Sequence, residues 1–266
     1  MSSKSAPTPA PGQLTTISLN DIAERYLGVY QRLFDVVSIN LAGYRKINEE
    51  DYDQIGQQAS VMPKVQARMD FEAAKDAAQF WIGRNAVSEA LSTVVPLMED
   101  CRTVCALCDY KIAGKTDASA IQKITGEDRQ KFLQLPIPEK FKVLAKSYDI
   151  HSELEPHILS LMDLAKAMVL KDGKVTEEET KNGELVLQIR AITVTQQPTQ
   201  SASGETILGL ARRMSDHSRT LKVGDKAELT RAELLGALVT IAGFLATFLK
   251  GVQDYAQKVG AADDKK

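Results

Sequence analysis

From Asn20 onwards, apolar side chains recur every three or four residues: Ile22, Tyr26, Val29, Leu33, Val37, Leu41 and Tyr44. That spacing puts them on one face of a helix. Asn20 and Asp21 offer the side-chain oxygens that its first turn needs. A second and longer pattern begins after a cap at Asp70. Ala73, Ala77, Phe80, Arg84, Val87, Leu91, Val94, Met98, Cys101, Cys105, Cys108 and Ile112 step by four and three in alternation. This heptad-like, coiled-coil-like seam is the pattern of long helices packed side by side. Pro96 predicts a kink or break about one turn before it, because it removes an amide donor and crowds a carbonyl.

Shorter helices with readable ends come next. Thr116 or Asp117 opens one and Thr125 another, Pro138 suits the first turn of a third, and Ser152 with Glu155 forms a capping box for a helix to about Lys171. Asp172-Gly173 is a left-handed stop, and Thr176 with Glu179 caps the next segment. Residues 184–195 are ambiguous: Leu185, Ile189 and Ile192 have helical spacing, but the β-branched content and the Asn182-Gly183 breaker favour a short strand. Residues 196–204 read as a flexible connection and a possible subdivision, with a helix resuming near Glu205. The last helix opens on a capping box of Thr230 with Glu233 and runs to Val259.

The implied fold class is all-α, a helical bundle with at most one short β element at about 184–195. The domain layout is a tail at 1–17, one bundle at 18–259 and a charged tail at 260–266. Residues 1–17 mix Pro, Ser, Thr and Ala without periodicity and carry too little apolar area to offset the entropy of ordering.

Composition narrows the classes. The chain has 266 residues, 44% of them hydrophobic, and 33 basic against 35 acidic side chains, a formal charge of −2. A nearly neutral chain has no global attraction for nucleic acid, so such a partner must be met by a local basic patch. The N-terminus lacks the apolar core of a signal peptide, and the three cysteines are an odd number crowded into eight positions, which fits a reducing, cytoplasmic setting.

Four features carry candidate chemistry. Cys101-x3-Cys105-x2-Cys108 resembles the spacing with which radical-SAM enzymes hold an iron–sulfur cluster, which would imply a metal site; the same thiols continue the apolar seam and fit a core. Arg84 is the charged member of that seam and must be paired, anion-bound or extended to solvent. Arg212-Arg213-Met214-Ser215-Asp216-His217 resembles the Arg…His motif near a helix end of HEPN-type ribonucleases, which implies Arg212 on phosphate and His217 in proton transfer. Arg213, Arg219 and Lys222 add, with Arg84, a candidate anion-binding set. Residues 168–179 are similar to a helix–turn–helix of TerB-like domains. Finally, the stretch 234–249 is uncharged throughout, and Gly236, Thr240, Gly243 and Thr247 form a small-residue stripe that admits a close neighbour, an expected interface. At ~1.5 Å per residue that run spans about 24 Å, short of the ~30 Å hydrocarbon core.

These readings converge on an intracellular interaction or assembly protein that self-associates through its helix seams, needing no cofactor and without its own chemistry. The alternatives are a HEPN-like ribonuclease and a membrane-inserting or tail-anchored protein using residues 234–249.

Overall fold

The computed structural model describes residues 18–58, 68–114, 118–200 and 206–260. Its helices are α1 (Leu19–Lys46), α2 (Glu49–Gln58), α3 (Phe71–Ser92), α4 (Val94–Ile112), α5 (Ala118–Thr125), α6 (Glu127–Gln134), α7 (Ile137–Tyr148), α8 (Glu155–Leu170) and α9 (Arg231–Lys258). Between α8 and α9 lies one antiparallel hairpin, β1 (Glu184–Gln200) and β2 (Thr206–Lys222). The mostly-α class holds. The expected tail at 1–17, the helix start at Thr116 or Asp117, residues 201–205 and the charged tail beyond Gly260 lie outside the described residues.

Local chemistry sets most of the boundaries. Ser18, slightly earlier than Asn20 and Asp21 suggested, caps α1 by accepting the Asp21 amide at 3.2 Å. Asp70 caps α3 through the Ala73 amide at 2.8 Å. The Pro96 break falls at Thr93, where α3 ends and α4 begins, one turn before the ring. Asp172 and Gly173 both take positive φ, and the Gly173 amide reaches back to the Ala167 carbonyl at 3.0 Å, closing α8. A side chain at Gly173 would also meet the Phe80 ring at 2.7 Å, so glycine is required there twice over.

The centre of the core is α9. Leu234, Ala237, Leu238, Ile241, Phe244, Leu245, Phe248 and Val252 are buried, and the helix packs on α1, α3, α4, α8 and β1. Phe244 and Phe248 stack with ring centres 4.3 Å apart, and Phe141 of α7 meets Phe244 edge-on at 5.8 Å. By length and composition α9 is apolar enough to cross a membrane, but most of that stretch is buried within the chain. Val87, Leu91, Val94, Met98, Cys101 and Cys105 of the expected seam are buried, whereas Ala73 and Ala77 at its start are exposed. On α1, Tyr30 takes the buried place expected of Val29, donating its hydroxyl to the Ala90 carbonyl at 3.0 Å.

Two expectations need correction. Thr206–Lys222 is strand β2, not the helix expected from near Glu205, and the β element is a pair of 17-residue strands, not a short one. The reason is pairing: every position from Glu184 to Gln200 has a partner on β2, from Glu184 with Lys222 to Gln200 with Thr206. A window along one strand contains only half of that ladder. Likewise, residues 168–179 end one helix and then make a single 3-10 turn, Glu177–Glu179, before the hairpin, so the helix–turn–helix implied by the TerB-like resemblance is absent.

Tyr26 of α1 donates to Asp100 of α4 at 2.9 Å. Burial pushes the Asp100 carboxyl above its ordinary range, more than its bond from Tyr26 and the nearby Arg25 pull it down. A carboxyl raised by folding contributes most stability below its unfolded pKa, and that contribution fades as the pH rises through its folded value. Asp100→Asn keeps an acceptor for Tyr26 and removes the buried charge. It is therefore expected to be at least as stable as wild type at pH 7, with the advantage shrinking as the pH falls toward about 4 and levelling off below that, measured by urea midpoints across pH.

Candidate interaction site at the hairpin arm

At ~3.4 Å per residue, strands of 17 residues span roughly 55 Å, and their inner part rests on the helices. Leu185, Leu187, Ile189 and Leu221, all of one parity, are buried there against the body. The outward edge of β1 is closed by hydroxyls. Ser160 of α8 accepts the Gln188 amide at 3.0 Å, and Thr240 of α9 accepts the Arg190 amide at 2.7 Å while donating to the Gly236 carbonyl at 2.8 Å. Gly236 is forced by the same contact, since a Cβ there would sit 2.8 Å from the Arg190 carbonyl oxygen.

Charge flanks the root. Arg190 pairs with Glu153 and approaches its cross-strand partner Asp216 at 3.6 Å, and His157 lies 3.7 Å from the same carboxylate. Beside β2, the buried carboxylate of Glu233 meets Arg219 Nε at 2.7 Å and His217 Nε2 at 3.6 Å, and its other oxygen accepts the Thr230 amide at 2.9 Å. One carboxylate thus caps α9 and anchors the arm. Next to it is a cleft of about 210 Å³ whose wall includes Asp76, Phe80, Arg219, Lys226 and Glu228. Lys226 is pushed above its ordinary range by its hydrogen bond to Glu228, 2.6 Å away. The wall carries two acids and two bases, with Lys226 paired to Glu228 and Arg219 to Glu233, so the cleft has no surplus of positive charge to recruit an anion.

Along β2, Arg213, Met214, Ser215 and Asp216 are consecutive and all exposed, so both faces of that strand are open there, while Arg190 and Ala191 opposite Asp216 and Ser215 are half-buried. Further along β1, Thr195 is exposed.

The expected site residues are not gathered into one place. Arg212 and His217 lie on β2, not at a helix end, at register positions of opposite parity and about 17 Å apart along the strand, so the arrangement implied by the HEPN resemblance is not formed. Within the anion-binding set, Arg84 is half-buried on α3, Arg219 is held by Glu233, and Arg213 and Lys222 are exposed at well-separated positions on β2. Cys101, Cys105 and Cys108 sit in mid-α4, the first two buried in the core. Burial pushes all three thiols up, away from the thiolate that binds metal, and among the described residues no group of His, Cys, Asp and Glu is placed to hold a metal ion. In the stripe expected to be an interface, Gly236 and Thr240 are taken by β1, a Cβ at Gly243 would meet Leu154 at 3.3 Å, and Thr247 bonds the Gly243 carbonyl at 2.9 Å. The close approach foretold by small residues occurs, but within the chain. Comparison with known proteins finds no family model, no curated protein and no solved structure that matches.

Thr240→Val leaves the Arg190 amide without a partner, so a loss of about 1–3 kcal/mol is expected, together with faster hydrogen exchange at that amide. An aromatic disulfide reagent is expected to modify Cys108 readily in the native protein and to reach Cys101 and Cys105 only in denaturant, read by absorbance and mass.

Proposed function

We propose that the protein is an interaction or assembly protein without catalytic chemistry of its own, in which a helical body holds out a β-arm for association. The observation that carries this reading is the division of the hairpin: its root is sealed by Ser160 and Thr240, while Arg213, Met214 and Ser215 of β2 and Thr195 of β1, further along, are exposed. A two-stranded ribbon free of other packing is marginal in water, so an arm of this length is useful when something else completes it. Association through the helix seams is a weaker form of the reading, because the buried faces of α3, α4 and α9 are already spent on one another. A cytoplasmic setting suits the free thiols of α4.

The test is to shorten the arm. Replacing residues 192–214 by Asn-Gly joins Ala191 to its hydrogen-bonded partner Ser215 through a two-residue turn and leaves the buried root intact. The shortened protein is expected to keep its helical circular dichroism and melting temperature within about 4 °C while losing the self-association of the full chain in light scattering. Association unchanged by the truncation would remove the arm from the reading.

A further inference from the structure

The two edges of the arm differ in a way that selects a partner. On β1 the amides of Gln188 and Arg190 point away from β2, toward Ser160 and Thr240. The strand repeats every two residues, so the amides of Ile192, Val194 and Gln196 point to that same edge. Among the described residues no third strand pairs with it. Proteins usually guard such an edge with charge or proline. Here the stretch 191–200 contains no charged residue, and Pro198, which has no amide hydrogen, falls two positions beyond Gln196, so the open edge runs from 192 to 196.

The neutrality of this edge matters for the choice of occupant. Antiparallel pairing about a twofold axis brings the same short stretch of both copies together, so a cluster of like charges near the axis would face itself. β2, with adjacent Arg212 and Arg213, is unsuited to this; the uncharged stretch of β1 is suited to it. Joining two ribbons also turns two marginal pairs of strands into one four-stranded sheet, above the size at which sheets hold on their own.

We propose that residues 192–196 of β1 pair antiparallel with the same edge of a second copy, in the strand order β2-β1-β1-β2. This rests on the reading of the arm as an association element and names its partner. The full-length protein is expected to be a dimer by sedimentation velocity at tens of micromolar. Val194→Pro removes one outward amide and leaves the β1–β2 ladder whole, and it is expected to weaken the dimer about tenfold or more. Gln196→Pro acts on the same edge and covers the case in which Val194→Pro fails to fold, judged by circular dichroism. Met214→Lys, on β2 and off that edge, is expected to leave the dimer intact. A monomeric wild type would overturn the proposal, as would a dimer that tolerates both prolines. A dimer lost on shortening the arm but insensitive to the prolines keeps the arm as an association element while overturning the edge pairing. Loss caused by Met214→Lys alone would overturn it too, moving the contact from the edge to the face of the ribbon.

Discussion

Helix α9 is uncharged across residues 234–249 and apolar on almost every side, so no single neighbour can shelter it. α1, α3, α4, α8 and β1 all pack on it, and Phe141 of α7 closes on its paired phenylalanines. Burying Phe244 and Phe248 alone contributes on the order of 3–6 kcal/mol. The rest of the chain is arranged to permit this: α3 and α4 turn at Thr93, and Gly236, Gly243 and Gly251 let β1, Leu154 and Ile150 come close.

That arrangement also decides where the arm leaves the body. Thr240 and Gly236 hold β1 at Arg190, and Glu233 holds β2 at Arg219 while capping the same helix. Both strands are therefore fastened to the first three turns of α9 at their roots.

Much of the scaffold was legible in the sequence because helical signals are local. The Asp70 cap, the Pro96 break, the Asp172-Gly173 stop and the box of Thr230 with Glu233 each involve residues within a few positions of one another. The arm was only half legible. Leu185, Leu187 and Ile189 alternate as a strand should, but residues 212–219 of β2 are a polar stretch with no alternation, and the state of that strand is set by partners up to 38 positions away, as Glu184 is from Lys222. The Arg…His spacing was a false signal for the same reason, since five residues that nearly close a helical turn and a half run straight in a strand. Glu233 was visible as a cap, but nothing in the sequence said that its other oxygen would hold Arg219. The small-residue stripe foretold a close neighbour correctly and could not say that the neighbour was a strand of the same chain.

The order of the chain gives the seal on β1 a temporal side. Ser160 precedes the hairpin and Thr240 comes after it, so during synthesis from the N-terminus the ribbon emerges before half of its closure exists. Until α9 is made and docked, the Arg190 amide is as open as those of Ile192 and Val194, and the bare edge is longer than in the finished fold. The helix translated after the hairpin thus sets how much of β1 remains sticky, trimming a nascent edge to the length the folded chain keeps.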